Sequence, residues 1–281
     1  MGDAPVGGAD PGEGAVRGAT NGRRGLRAIA AVVAGLALVA ASTGCQPREP
    51  RKDRVVIFLH GWSAFGNGVN CSGSFGNLES SLRSAGFTGD MVTIAYYDSD
   101  TNCDVDLRDW GSISNSTVWK DLAKVFSDYV YETYTRRGIS VDVVGHSMGG
   151  LIVRGAVLGS SRGESGFSPP LKIEDAVTLA APHDGAAWYS TGCLWGQCSQ
   201  LKPGASDLDW LNTDGNPGGA QGTEWTAFGS NSDDVVPADS ALFMSLPAER
   251  EIRYSSLEHS DYQQNATSQA RIAKALAEQN A

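Results

Sequence analysis

From Arg51 onward, short apolar runs alternate with amphipathic stretches along the chain. The apolar runs predict six strands, at residues 55–59, 91–97, 141–144, 173–180, 224–228 and 251–255. The amphipathic stretches predict helices, at residues 78–85, 117–137 and 266–277. Strands that alternate with helices favour a mostly parallel central sheet that is flanked by helices. The pattern therefore predicts one α/β domain over residues 54–281.

Residues 181–223 break this alternation, because the segment is long and rich in Gly, Trp and Asp. Long excursions in compact domains often form lids or binding loops. One helical turn is predicted within it, at 207–211. Four side chains give the excursion an apolar face: Trp188, Leu194, Trp195 and Trp210. This face either covers a functional site or packs the excursion onto the domain, and the pattern favours neither.

The first 45 residues predict an export signal that is not part of the fold. A basic region at 22–27 precedes an apolar run at 28–41, and small residues follow. The run is too short for the roughly 20 residues that span a bilayer. The paired arginines resemble a twin-arginine signal, and Thr43-Gly44-Cys45 resembles a lipobox with Cys45 as the lipidation site. After a linker at 46–53, we expect an exported protein, secreted or lipid-anchored to the outer face of the cell membrane.

Charge narrows the set of partners. The chain has 22 basic and 32 acidic residues, a formal net charge of −10. This acidic balance argues against nucleic acid or an anionic membrane surface as a partner. A chain of this size buries about 70–75% of its unfolded surface, so it can hold a full core without a metal. The oligomeric state cannot be derived from these features.

Four cysteines follow Cys45, and an even number in an exported chain favours disulfides over metal ligands. Three pairings are possible. The preferred one joins Cys193 to Cys198 across a small loop. It also joins Cys71 to Cys103, across segments that follow two neighbouring strands. A zinc site is the alternative, but no Cys-x-x-Cys pair is present, and we expect no metal.

Residues 139–151 indicate a buried strand that leads into a glycine-flanked serine and then a helix. A serine hydroxyl is a poor nucleophile, so a protein that uses one exposes it on a tight turn near a base. Gly145 and Gly149 fit such a turn, because a side chain at either would collide as strand and helix close around Ser147. The motif alone is common in a chain rich in glycine and serine. Its context makes Ser147 the candidate nucleophile rather than a surface serine.

A nucleophilic serine needs a base, and the chain has four histidines. His259 alone comes last, as the order serine, acid, histidine of this architecture requires. His146 is adjacent to Ser147, so we expect its ring to point away from the serine hydroxyl. We expect His60 and His183 to be structural. The base is therefore predicted to be His259.

The acid is expected after the preceding strand, where Asp233 and Asp234 both lie. Asp233 stands four residues before Pro237, the usual placement in this type of loop, and is favoured. Its role would be to accept a hydrogen bond from the histidine and fix its tautomer. The oxyanion of the tetrahedral intermediate also needs donors. The backbone N–H groups of Met148 and Trp62 are the candidates.

Five pieces of the sequence carry a family resemblance: His60-Gly61, 145–149, 181–185, Asp233 and 257–262. Together, over about residues 54–280, they resemble the α/β-hydrolase superfamily, and most closely its small secreted bacterial lipases and esterases. The resemblance implies hydrolysis of a carboxylic ester through an acyl-enzyme on Ser147, without a cofactor.

The resemblance also implies a substrate class. Lipid or other acyl esters of any chain length are expected, with Trp62, Phe65 and Trp195 as apolar candidates around the site. The chain has no room for a large cap domain. Thioesterases, acyltransferases and peptidases share this machinery, and a non-catalytic binding lipoprotein could keep the fold. The order of Ser147, Asp233 and His259 favours the esterase or lipase.

Overall fold

The computed structural model describes residues 51–63, 67–187, 196–213, 215–216, 219 and 222–278. The predicted export signal and Cys45 lie outside these residues. The described chain forms seven strands: β1 (Val55–Leu59), β2 (Met91–Ala95), β3 (Val105–Asp106), β4 (Val141–His146), β5 (Ile173–Leu179), β6 (Glu224–Ser230) and β7 (Glu251–Tyr254). They form one sheet in the order β3-β2-β1-β4-β5-β6-β7, and every neighbouring pair is parallel. The predicted α/β architecture is confirmed.

The prediction of about six strands was one too few. The additional strand, β3, has only two residues and pairs with the end of β2 at the edge of the sheet. Two residues are too few to show the alternation by which a strand is recognised in a sequence. The six predicted strands are all present, with ends that differ from the prediction by no more than two residues.

Seven helices accompany the strands in the described part of the chain: α1 (Cys71–Ser84), α2 (Trp119–Thr133), α3 (Met148–Arg162), α4 (Gly196–Ser199), α5 (Ser206–Asn212), α6 (Ala238–Ala241) and α7 (Ala266–Ala277). Helix α7 has the predicted bounds. Helix α1 begins seven residues before the predicted start, where the Asn70 side chain accepts a hydrogen bond from the Gly73 N–H. Helix α2 is shorter than predicted, since a separate 3-10 turn leads to Gly138, which has φ +79°.

The sheet separates two apolar cores. Along β1, Ile57 and Leu59 face the core that contains α2 and α3, whereas Val56 and Phe58 face the core that contains α1 and α7. Because successive side chains of a strand point to opposite faces, both faces of β1 are covered, as expected for a central parallel strand. Helices on both sides hold the carboxyl ends of β1, β4, β6 and β7 at one edge of the domain.

The excursion contains α4 and α5, and its described part packs onto the domain. The Trp210 ring stacks on Phe167 at 6.1 Å between ring centroids, and the Lys120 ammonium lies 3.9 Å from the Trp210 ring centre. For Trp210, the packing interpretation therefore holds. Trp188, Leu194 and Trp195 lie outside the described residues.

A disulfide joins Cys71 to Cys103, as predicted. It connects the first residue of α1 to the loop after β2. Cys198 is also disulfide-bonded, and its predicted partner, Cys193, lies outside the described residues. Cys71, Cys103 and Cys198 are therefore held in disulfides rather than as zinc ligands.

Replacing both Cys71 and Cys103 with alanine should lower the free energy of unfolding by about 3–4 kcal/mol. The bridge closes a loop between residues 32 positions apart, so removing it frees this length of the unfolded chain. Urea unfolding followed by far-UV circular dichroism measures the change. A loss below about 1 kcal/mol would contradict a stabilising role for this bridge.

Candidate active site

The turn between β4 and α3 holds Ser147 in a strained backbone conformation. Ser147 has φ +53° and ψ −126°, which few residues other than glycine adopt. The glycines on each side are required by space: a Cβ at Gly145 would lie 2.6 Å from the Gly150 nitrogen, and one at Gly149 would lie 2.4 Å from the Leu59 oxygen. The predicted serine elbow is present, with the serine ahead of a helix N-terminus.

Three side chains from three loops form one line of hydrogen bonds at this edge of the sheet. The Ser147 Oγ lies 3.0 Å from His259 Nε2. On the other side of the ring, His259 Nδ1 lies 3.0 and 3.1 Å from the two carboxylate oxygens of Asp233. Asp233 follows β6 and His259 follows β7. The structure therefore brings together the three residues predicted as nucleophile, base and acid.

Asp233 is the aspartate that faces the histidine, whereas Asp234 is exposed. Burial raises the pKa of the Asp233 carboxyl, but hydrogen bonds from His259 and from the Val235 and Val236 N–H groups outweigh it and leave the pKa below its usual value. Asp233 is therefore held as a carboxylate, the form that accepts a hydrogen bond from His259 Nδ1–H.

His146 supports the loop that carries His259. Its Nε2–H donates to the His259 carbonyl oxygen over 2.8 Å. Burial and the nearby His259 lower the pKa of His146, so its ring stays neutral. This bond directs one ring nitrogen to the backbone of His259, in line with the structural role expected for a residue beside the nucleophile.

His183 is fully buried, and burial lowers its pKa far below the usual value. Its Nε2 lies 3.2 Å from the Thr178 hydroxyl oxygen. No bond in the described chain connects it with Ser147. This placement agrees with the structural role that was expected for His183.

The loop after β1 lies directly against the nucleophile. A Cβ at Gly61 would be 2.8 Å from the Ser147 Cβ, so only glycine allows the backbone to approach this closely. Trp62, the next residue, lines the same cleft as Ser147, and Met148 is the first residue of α3. Both predicted oxyanion donors thus belong to backbone segments that adjoin Ser147.

A clamp made by His60, Tyr96 and Asp100 holds the loop after β1. The His60 ring places Nδ1 2.8 Å from the Gly61 oxygen and Nε2 2.9 Å from the Asp100 carboxylate. The Tyr96 hydroxyl donates to the carbonyl oxygens of His60 and Gly61, at 2.5 and 2.9 Å. His60 has the structural role predicted for it, but its partners were not predicted.

The Asp100 carboxylate accepts four hydrogen bonds. Besides His60, its donors are the backbone N–H groups of Val69, Tyr96 and Tyr97, at 2.7 to 2.8 Å. Burial raises the pKa of Asp100, but the bonds from His60 and from the backbone more than compensate and lower it. Thr101, the residue after Asp100, forms a β-bridge with Asn70. The disulfide between Cys71 and Cys103 lies next to this bridge in the sequence.

Replacing Asp100 with asparagine should lower kcat by about 10- to 100-fold, with little change in KM. An asparagine has one acceptor oxygen, and its NH2 group would face a donor, so the clamp and the loop that it positions would relax. Steady-state kinetics on a chromogenic ester measures the effect. Asp98→Asn is the matched control, since Asp98 is exposed on the same loop. Equal losses in the two variants would contradict the positioning role.

The cleft above Ser147 has a volume of about 180 Å³. Its described lining is His60, Gly61, Trp62, Val69, Ser74, His146, Ser147, His259 and Gln263. Trp62 and Val69 are the apolar side chains of this lining, and the rest is mostly polar. Phe65 and Trp195, also expected near the site, lie outside the described residues.

No helix of the described chain is long and apolar enough to cross a membrane.

A parallel sheet with a serine elbow after β4, an acid after β6 and a histidine after β7 places this protein in the α/β-hydrolase superfamily, as its sequence indicates. A family model, the PGAP1-like alpha/beta domain, matches residues 51–194, slightly more than half of the chain. The chain belongs to this family. The match includes Ser147 and the loop after β1, whereas Asp233 and His259 follow it. No curated protein matches the chain.

Solved structures share the fold at low sequence identity. A lipase from Bacillus licheniformis, BlEst2 in its mature form, matches with a TM-score of 0.55 and 14% identity, over 83% of this chain and 96% of the lipase. Lipase B from Aspergillus fumigatus matches with a TM-score of 0.54 and 14% identity, over 81% of this chain and 53% of that chain. Phospholipase PlaB from Legionella pneumophila matches with a TM-score of 0.48 and 18% identity, over 67% of this chain and 45% of that chain. This chain thus spans less than half of the length of PlaB.

Proposed function

We propose that this protein hydrolyses carboxylic esters through an acyl-enzyme on Ser147. The observation that supports the proposal most is the line of hydrogen bonds from the Ser147 Oγ through His259 to Asp233. A binding protein that merely kept the fold would have no need of a strained serine aligned with a histidine and a buried carboxylate. The fold of the similar lipases is consistent with this function.

In the proposed reaction, His259 Nε2 takes the hydroxyl proton as Ser147 Oγ attacks the ester carbonyl carbon. The Asp233 carboxylate stabilises the imidazolium that forms. The backbone N–H groups of Trp62 and Met148 donate to the oxyanion. When the intermediate collapses, His259 gives the proton to the departing alcohol, and a water molecule then releases the acid from Ser147 by the same steps.

We propose small acyl esters as substrates. The described part of the cleft has a volume of about 180 Å³, below the roughly 300–1,000 Å³ of pockets that enclose drug-sized ligands. Trp62 and Val69 are the apolar side chains of its described lining. Hydrolysis of thioesters and amides, and acyl transfer to acceptors other than water, would use the same catalytic groups. Measuring the rate of each reaction shows which leaving groups and acceptors the protein accepts.

The experiment that tests the function is active-site labelling combined with ester turnover. Purified protein should hydrolyse p-nitrophenyl acetate and butyrate faster than p-nitrophenyl octanoate. A fluorophosphonate should stop this turnover and add one label, which peptide mass spectrometry should find on Ser147. If the protein hydrolyses none of these esters and Ser147 stays unlabelled, the proposal is wrong and a binding function is favoured.

We also propose that the protein is exported and that Cys45 is its lipidated first residue. The basic region, the short apolar run and Thr43-Gly44-Cys45 support this. Mass spectrometry of the N-terminal peptide from membranes of the producing cells should find a diacylglyceryl group on Cys45. An unmodified N-terminus, or cleavage at another position, would contradict the anchor.

A further inference from the structure

Gln263 lies in the cleft beside the proposed catalytic residues. It follows His259 by four positions, in the segment between β7 and α7, and it lines the cleft together with Ser147 and His259. Its backbone is fixed, because the Gln269 side chain donates from Nε2 to the Gln263 carbonyl oxygen over 2.8 Å. The side chain is therefore presented to the cleft from a well-anchored position.

The carboxamide of Gln263 is buried but has no partner among the described residues. Gln263 is only 4% exposed, and its Oε1 is enclosed without a hydrogen bond. The next residue provides a contrast. Gln264 is exposed, yet its side chain accepts from Asn77 and donates from Nε2 to the Ser74 oxygen over 3.0 Å. The Gln264 side chain thus connects the segment to α1, whereas the Gln263 side-chain oxygen bonds to no described residue.

A buried polar group without a partner is costly. Leaving one unsatisfied typically costs about 1–3 kcal/mol, and the great majority of buried side-chain polar atoms are paired. Such a group needs an explanation when it lines a cleft, and a ligand that supplies the missing bond is one. Ser74, which is half-buried, lines the same cleft. Both residues add polar groups to the lining, and Gln263 is the one whose buried oxygen has no partner.

The position of Gln263 indicates which part of a substrate it meets. In the proposed reaction, His259 protonates the departing alcohol, so the alcohol must lie on the side of the site that carries His259. Gln263 is on that segment. The loop with Gly61 and Trp62 adjoins Ser147 from β1 and is assigned to the oxyanion. Gln263, Ser147 and His259 line the same cleft, so an alcohol that is held at Ser147 occupies the space that Gln263 borders.

We propose that Gln263 binds a hydroxyl or amide group on the alcohol part of the ester, next to the scissile bond. The inference rests on the proposed esterase function and deepens it by naming a substrate class: small acyl esters whose alcohol carries a second hydrogen-bonding group. A carboxamide suits this task because it can both donate and accept. Gln263 is thus a specificity-determining residue, and Ser74 is a second polar residue of the cleft lining.

Two esters that differ by one atom test the proposal. 2-Hydroxyethyl butyrate and propyl butyrate have the same acyl group and alcohols of the same length, with a hydroxyl in place of a methyl group. We expect kcat/KM to be about tenfold higher for the hydroxyethyl ester, the effect of one hydrogen bond to a buried amide. In Gln263→Leu, which keeps the volume but not the polar atoms, the ratio should fall to about one. Gln264→Leu is the control and should keep the ratio of the unchanged protein.

The ratio of the two kcat/KM values does not depend on the fraction of folded protein, so it can be measured even for a variant of low stability. Gln263→Asn is a second test variant. It keeps the amide but moves it away from the alcohol, so it should also lower the ratio. Equal rates for both esters in the unchanged protein, or an unchanged ratio in Gln263→Leu, would overturn the role of Gln263 and leave the esterase function in place. If neither ester nor any p-nitrophenyl ester is hydrolysed, both proposals are wrong.

Discussion

Replacing Ser147 with alanine should lower kcat for ester hydrolysis by about a millionfold, to near the background rate. The variant lacks the oxygen that forms the acyl-enzyme, and His259 then has no hydroxyl to deprotonate. Stability should change little, because the elbow is held by Gly145 and Gly149 and not by the serine hydroxyl. The remaining oxyanion donors can still polarise a bound ester, so a small residual rate is expected.

Initial rates on p-nitrophenyl butyrate measure this loss, with circular dichroism to show that the variant folds. Ser80→Ala is the matched control, because Ser80 is exposed on α1 and its hydroxyl bonds only to the Gly76 carbonyl oxygen. It should keep the full rate. A Ser147→Ala protein that retains a substantial fraction of the rate would show that another group carries the reaction.

The central strands could be predicted because both faces of the sheet are covered. β1 is then a continuous apolar run, and β4 has valines at 141, 143 and 144, so both stand out from the polar segments around them. The edge strand β3 has two half-buried residues and leaves no such run. The first turns of α1 are polar, so the start of this helix is set by the Asn70 cap and the disulfide at Cys71 rather than by apolar periodicity.

The candidate site could be predicted because its residues follow the strands in a fixed order. Ser147, Asp233 and His259 come at the carboxyl ends of parallel strands, which share one edge of the sheet. From the sequence, only the spacing to Pro237 favours Asp233 over Asp234. In the structure, the backbone after β6 turns the Asp233 carboxylate inward to His259 and leaves Asp234 exposed.

Pairings between distant loops left no pattern in the sequence. His60 and Asp100 are 40 positions apart and meet because β1 and β2 are neighbours in the sheet. At the amino ends of the strands, the buried Arg54 guanidinium pairs with Asp142 at 2.7 Å and with Asp175. Each partner stands at the start of a different strand. Only the strand order brings such charges together, and it cannot be derived from local periodicity.

Replacing Asp233 with asparagine should lower kcat by about 10⁴-fold, while Asp234→Asn should keep nearly the full rate. An asparagine amide can donate to His259 Nδ1, which would stabilise the tautomer with its proton on Nε2. That tautomer cannot accept the proton from the Ser147 hydroxyl. The neutral amide also removes the charge that balances the imidazolium. Since Asp234 is exposed and His259 Nδ1 faces the Asp233 carboxylate, replacing Asp234 changes neither effect.

Pre-steady-state kinetics with p-nitrophenyl butyrate shows which step of the reaction is slowed. In Asp233→Asn, acylation of Ser147 should slow together with kcat, and reaction with a fluorophosphonate should slow in parallel, because both need His259 as a base. KM should change far less than kcat. Equal losses in Asp233→Asn and Asp234→Asn would show that neither carboxylate acts through His259, and the order of residues after β6 would then not define the acid.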